Sequence, residues 1–241
     1  MALNIAACVT LPAKSTPHAE AIVLDETRLT FAVLLDNVKR VAAFLHREGI
    51  QRGDRVALIL PNTPHFPTIY YGVLYAGGIA VPLNPLLTQR ELAYHLDDAH
   101  PTTIFVWADL LDPVTAALEI ASVDPKLVVV ETDLQPVRPA HGLSFLTEMA
   151  RKSAIPPMAE TAPDDIAVII YTAAYYGKPL GAQLTHFNLF ENARTIGTEL
   201  IKYRPDDRSL IALPLFHSFG QCVLMNSGLL AGACLVFMPR F

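Results

Sequence analysis

The chain has 241 residues, of which 52% are hydrophobic and 17% charged, and a formal net charge of −5. That balance is too apolar for a disordered polypeptide and gives enough material for a large buried core. It also excludes a basic nucleic-acid-binding surface, since Lys and Arg form no block. Cys8, Cys222 and Cys234 are too far apart for metal-ligand spacing and read as buried thiols of a reducing compartment. The apolar start, Met1 to Pro12, has no basic flank of the kind a signal peptide carries. The longest apolar run, Val223 to Met238, is broken by Asn226, Ser227, Gly228 and Gly232 and falls short of the roughly 20 residues of a membrane span. It reads as a buried helix followed by a strand. These features lead to the expectation of a cytoplasmic protein.

In chain order, Thr30 caps a helix predicted to run to Glu48, with Leu34, Val38, Val41 and Leu45 on one face and Gly49 at its end. Arg55 to Leu60 reads as a buried strand. Thr63 then caps a helix with Pro64 in its first position, carrying Phe66, Ile69, Tyr70, Val73 and Leu74 inward and stopping at Gly77-Gly78. Ile79 to Leu83 is a second strand, and Thr88 with Glu91 forms a capping-box pattern before another helix. Strands are expected at Thr103–Trp107 and Lys126–Glu131, with a helix near Val114 to Ala121 between them. Leu134 to Pro163 reads as a surface connection with one short helix near Ser144 to Lys152. Ile166 to Tyr171 is a strand, Leu189 to Ile201 a helix, and Ser209 to Leu213 and Cys234 to Met238 further strands.

This alternation predicts an α/β fold with a mainly parallel sheet flanked by helices. A first sub-part is expected over 1–163 and the start of a second over 164–241. In such sheets ligands sit at the carboxyl ends of strands, which directs attention to the loops after Tyr171 and Leu213. The first spans 171–181 and includes Thr172, Gly177, Lys178 and Gly181; the second contains Pro214-Leu215-Phe216-His217-Ser218-Phe219-Gly220. A short Gly-bearing loop wraps anionic oxygens with backbone N–H groups, to which hydroxyls and a Lys add donors and charge.

The two loops resemble signatures of the adenylate-forming superfamily, which includes acyl-CoA synthetases, luciferases and peptide-synthetase adenylation domains. In that family the first loop follows the pattern Thr-Ser-Gly-Thr-Thr-Gly-X-Pro-Lys-Gly and is often followed by Thr-His-X-Asn, here Thr185-His186-Phe187-Asn188; the second is Pro-Leu-Phe-His. Arg52-Gly53-Asp54-Arg55-Val56-Ala57 with Leu60-Pro61-Asn62, and Gly77-Gly78-Ile79-Ala80-Val81-Pro82-Leu83-Asn84, resemble two earlier family segments in the same order. The resemblance implies the N-terminal part of the family's large domain. It also implies an AMP-forming acyl-CoA ligase that uses ATP, magnesium and coenzyme A on a carboxylic, fatty-type acid. The family's downstream elements are a magnesium-holding Glu, a ribose-holding Asp and a small mobile domain with a catalytic Lys. None is placed within these residues, so the chain is expected to be a portion of a longer protein, and no catalytic or metal-ligating residue is assigned.

Against the family pattern the first loop departs at five positions. Thr172, Gly177, Pro179 and Gly181 fit, but Ala173 replaces Ser, Ala174 replaces Gly, Tyr175 and Tyr176 replace two Thr, and Leu180 replaces Lys. Lys178 stands at the variable position. Each lost charge-assisted hydrogen bond costs about 1.5–3 kcal/mol, so the loop is read as degenerate and adenylation by this chain alone is not expected. The second loop is intact, and Phe216, His217, Phe219 and Gly220 are the acyl-pocket candidates the resemblance implies. His186 and Asn188 are read as helix-capping, the pairs Asp97-Asp98 and Asp206-Asp207 as surface turns, and His95 and His100 as outside any metal site. Two readings stay open: a ligase portion, including one that makes only acyl-AMP, or a non-catalytic descendant that binds acyl chains or proteins. Exposed apolar surface leads to the expectation of a homodimer or an aggregation-prone monomer.

Overall fold

The computed structural model describes residues 2–131, 139–173 and 177–238. The chain opens with α1 (Ala7–Ser15) and a hairpin of β1 (Glu20–Leu24) and β2 (Thr27–Thr30). Then come α2 (Phe31–Arg47), β3 (Arg55–Ile59), α3 (His65–Tyr75), β4 (Ile79–Pro82), α4 (Gln89–Ala99) and β5 (Thr103–Trp107). After a 3-10 turn at Ala108–Leu110 follow α5 (Leu111–Leu118), β6 (Lys126–Val130), β7 (Leu143–Ser144), α6 (Phe145–Ala150) and β8 (Ile166–Tyr171). The last part holds β9 (Gly181–Thr185), α7 (His186–Thr195), β10 (Arg208–Ile211), α8 (Ser227–Leu230) and β11 (Cys234–Phe237). Two π-helical stretches interrupt it, Ile196–Leu200 continuing α7 and Phe219–Asn226 leading into α8.

Among the described residues seven strands form one sheet in the order β7-β6-β5-β3-β4-β8-β9, and four form another in the order β10-β11-β1-β2. Pairing is parallel except for the hairpins β8–β9 and β1–β2. The fold is therefore α/β with a mainly parallel sheet flanked by helices. Both sheets cross position 163: β8 and β9 extend the sheet built by β3 to β7, and β1 pairs with β11 at Ile22 opposite Leu235.

The period-two geometry of the strands sorts the core. Val56 and Leu58 of β3, Phe105 of β5 and Val128 of β6 face a core shared with α1, α2, α3, α7 and the four-stranded sheet. Ala57, Ile59, Ile104, Val106 and Val129 point the other way, onto α4 and α5. The central strands are thus buried on both faces, which is why they read as continuous apolar runs. Gly72 of α3 lets α2 pack closely, because a Cβ there would lie 2.4 Å from Cγ1 of Val41 on α2.

Local chemistry explains the element ends. The Thr30 hydroxyl accepts from the Val33 N–H, and Thr88 with Glu91 closes a capping box. Gly49 and Gly77 follow their helices at φ +85° and +86°, a region open to glycine at little cost. The Thr63 side chain departs from expectation. Pro64 already has helical angles, and the Thr63 hydroxyl lies 3.4 Å from Nδ1 of His65 and caps no backbone group.

The start of the chain is tied to α7. Nδ1 of His186 accepts from the Ile5 N–H at 3.1 Å, while Thr185 and Asn188 form the capping box of α7. Asn188 therefore caps the helix as expected, and the His186 ring serves the distant segment instead. Burial drives the His186 pKa down to about 4, with Arg52 adding to the effect and Asp165 opposing it. The unfolded chain takes up this proton near pH 6.5 and the folded one only near 4. The stabilising contribution is complete above pH 6.5 and lost as pH falls from there to about 4. His186→Gln, which keeps an acceptor but does not titrate, should flatten the fall of the urea midpoint across that window. Equal slopes for variant and parent would count against this role.

Candidate functional site

The first loop is a bridge between antiparallel strands. Tyr171 ends β8 and Gly181 begins β9 directly opposite it. The Thr172 N–H donates to the Leu180 carbonyl at 3.0 Å, and the Leu180 N–H donates back to the Thr172 hydroxyl at 3.2 Å. The acceptor capacity of that hydroxyl is thus partly spent inside the loop. Gly177 has φ +85° and an open surrounding. Gly181 is required by packing, since a Cβ would meet Cγ2 of Ile169 at 2.9 Å. Lys178 and Leu180 are exposed. Ala174, Tyr175 and Tyr176 lie outside the described residues.

Helix α4 grips both ends of this bridge. The Tyr171 hydroxyl donates to Asp98 at 2.6 Å, and its ring meets that of His95 at 4.4 Å. Burial, then the Asp98 carboxylate, pushes the Tyr171 phenol well above its ordinary range. The Tyr94 hydroxyl donates to the Pro179 carbonyl at 2.9 Å. Sequence reading missed Tyr94 and Asp98 as loop supports, because the (i, i+4) spacing that places both toward one side of α4 also describes an ordinary amphipathic helix. His95 is buried, with Nδ1 2.6 Å from the Glu91 carbonyl. Asp97 accepts from the Ser122 N–H and Asp207 from the Arg204 N–H, so these acids stabilise turns.

The second loop is clamped from below. The Asn62 side chain donates to the Leu213 carbonyl at 2.9 Å and accepts from the Leu215 N–H at 3.0 Å. Gln221 donates to the Leu215 carbonyl at 3.2 Å. Leu215 is fully buried, and Gly220 packs so tightly under the turn that a Cβ would lie 2.4 Å from the Pro214 carbonyl. His217 is exposed and its Nδ1 accepts from the Phe219 N–H at 3.3 Å.

Beside this turn lies a cavity of about 310 Å³. Leu184 and Leu189 come from the hairpin and helix that follow the first loop; Ser218, Phe219, Cys222 and Val223 come from the second. Asn188 and Asn192 add polar groups. Of the four pocket residues expected from sequence, Phe219 lines this cavity, whereas Phe216, His217 and Gly220 do not. The arrangement offers an apolar wall with a few amides and a hydroxyl, a setting for an apolar molecule with a polar end. Burial raises the Cys222 thiol to about 12 and the Cys8 thiol further, so neither is a ready nucleophile. Among the described residues no cluster of three His, Cys, Asp or Glu side chains is disposed to hold a metal ion.

Asn62 was visible in sequence only as part of a motif; its role as a clamp appears once the ends of β3 and β10 meet. Asn62→Ala should leave the buried Leu215 N–H unpaired and destabilise the fold by about 1–3 kcal/mol. Urea unfolding measures this, and an unchanged midpoint would count against the clamp.

A family model described as AMP-binding enzyme matches residues 10–241. The chain is 32% identical over 249 residues to a long-chain-fatty-acid–CoA ligase of Bacillus subtilis, covering 93% of this chain and 44% of that protein. The fold superposes on a benzoate CoA ligase from Burkholderia xenovorans with TM-score 0.86 and 27% identity, covering 98% of this chain and 45% of that one. ATP-bound MatB from Rhodopseudomonas palustris gives TM-score 0.86 and 29% identity, with 100% and 46% coverage. The chain thus spans less than half the length of these relatives, and its structural neighbours are the N-terminal domains of adenylate-forming ligases. With the order of motifs, the sheet topology and these matches in agreement, the chain belongs to the AMP-binding enzyme family.

Proposed function

We propose that this chain is the front portion of an AMP-forming acyl-CoA ligase of the fatty-acid–CoA ligase type, in the cytoplasm. Such a ligase joins a carboxylic acid to ATP, releases diphosphate, and passes the acyl group from AMP to the thiol of coenzyme A. The observation that carries this reading is the cavity of about 310 Å³ walled by Leu184, Leu189, Phe219 and Val223 beside the Pro214–His217 turn. It has the apolar lining an acyl chain or aromatic ring needs, and Asn188 and Asn192 offer hydrogen bonds at its edge. His217, Phe216 and Gly220 shape the adjoining turn. Magnesium would accompany ATP, and coenzyme A is the second substrate.

The first loop supports a narrower reading of this chain. Adenylation holds a carboxylate against the α-phosphate of ATP and needs charge neutralised there. Thr172, Gly177 and Gly181 are kept, but the expected hydroxyls and the Lys are replaced. The described residues fit a triphosphate poorly. This favours, as the second reading, a descendant that keeps the acid-binding fold without turnover.

Exposed Leu200, Leu210, Leu213 and Phe219 further suggest self-association as a homodimer. Light scattering of a concentrated solution should give more than the monomer mass, and a clean monomer would argue against it.

Acid-dependent exchange of labelled diphosphate into ATP separates the readings. The 241-residue chain should stay at the level of a heat-inactivated control. Changing Ala173→Ser, Ala174→Gly, Tyr175→Thr, Tyr176→Thr and Leu180→Lys together should tighten ATP binding without producing turnover. Acyl-AMP formed by the unmodified chain would overturn the proposed defect.

A further inference from the structure

A second cavity lies on the other flank of the molecule, between α2 and the segment that follows α6. Its volume is about 200 Å³, and four of its eight lining residues are Arg or Lys: Arg40, Arg47, Arg151 and Lys152. The whole chain has only 18 such residues among 241 and a net charge of −5. A random eight-residue lining would hold fewer than one cation, so the concentration is well beyond composition.

Three of these cations are held by carboxylates. Arg47 pairs with the carboxylates of Glu148 and Glu48, donates to the Ser153 hydroxyl at 2.8 Å, and lies 5.3 Å from the Phe44 ring centroid. Arg151 pairs with Glu148 at 3.3 Å, and Glu148 itself is only 3% exposed. Arg40 pairs with Asp36 at 2.7 Å. Lys152 makes no ion pair among the described residues.

The charges do not balance. Glu148 is the acid among the lining residues; Asp36 and Glu48 pair with Arg40 and Arg47 beside it, Glu48 is shared with Lys126, and Lys152 is the fourth cation of the lining. Counted with these partners, five cations stand against three carboxylates, and an added anion would offset part of the excess. The Ser153 hydroxyl accepts from Arg47 and keeps its own hydrogen for a ligand. Guanidinium groups and an ammonium around one hollow match an anion that carries several acceptor oxygens on one centre. At about 30 Å³ for each water displaced, the volume suits one or two phosphoryl groups.

We propose that this cavity binds a small phosphate-bearing anion of the phosphate or diphosphate class, at a site separate from the loops after β8 and β10. The proposal is independent of the ligase reading, because it shares no residue with either loop or with the larger cavity.

Calorimetric titration of the 241-residue chain with inorganic diphosphate at low ionic strength tests it. Saturable binding is expected, weakened ~tenfold by Arg151→Ala combined with Lys152→Ala. Both side chains are exposed, so the fold should survive, and Lys152→Glu alone provides a second surface change that should weaken binding. Binding that these changes leave intact but Lys178→Ala abolishes would place the anion at the first loop and overturn the proposal. Absence of any heat with diphosphate, even where vesicles of anionic lipid bind, would also overturn it.

Discussion

A buried polar seam joins the two sheets, and the arrangement of the second loop depends on it. Asn62, just beyond β3, grips Leu213 and Leu215 beyond β10. Further along, Tyr71 of α3 donates to Asn226 at 2.7 Å, and Tyr70 approaches Gln221 at 3.4 Å. These groups are removed from water, so each must find its partner within the protein or cost as much as a lost hydrogen bond. A purely apolar interface would tolerate sliding; this one has few positions in which its donors and acceptors meet. The Pro214–His217 turn is held against the end of β3 for that reason, and the larger cavity takes its shape from the same contacts.

Much of the fold was legible because the strands obey a simple rule. Strands such as Thr103–Trp107 and Ile166–Tyr171 are apolar on both faces and carry β-branched residues, while α2 and α4 start at Thr caps and α2 and α3 stop at glycines. The N-terminal hairpin was not legible in this way. Its strands are short, no residue of β2 is buried, and the partner that makes β1 a sheet member lies at Cys234–Phe237. Local pattern carries no trace of such a pairing. Strand β9 escapes sequence reading for a related reason: Gly181 and the polar Gln183 suggest a loop until β8 supplies the ladder. The π-helical turns at Ile196–Leu200 and Phe219–Asn226 share their residue preferences with α-helix, so only the helical character was visible.

The candidate site was legible to a smaller degree. Motifs drew attention to two loops, yet the residues that hold them belong elsewhere in sequence. Tyr94 and Asp98 brace the first loop from α4, and Asn62 braces the second. Braces of this kind depend on distance in space, which one sequence does not encode in any local spacing. The expected pocket residues also part company in the structure. Phe219 meets the cavity, while Gly220 allows the turn to close.

The parallel pairing of β1 with β11 has a consequence for how the chain is made. Residues 20–24 leave the ribosome more than 200 positions before their partner at 234–237. At about 5–20 residues per second, β1 waits on the order of 10–40 s for its neighbour. Over that interval the apolar side chains Ala21, Ile22 and Val23, fully or nearly fully buried in the finished fold, have no sheet to join beyond the β2 hairpin. The seven-stranded sheet has no such delay, since β3 to β6 meet partners made shortly before or after them. Synthesis therefore favours one sheet assembling early and the other closing last, with the chain's first strand among its final pieces.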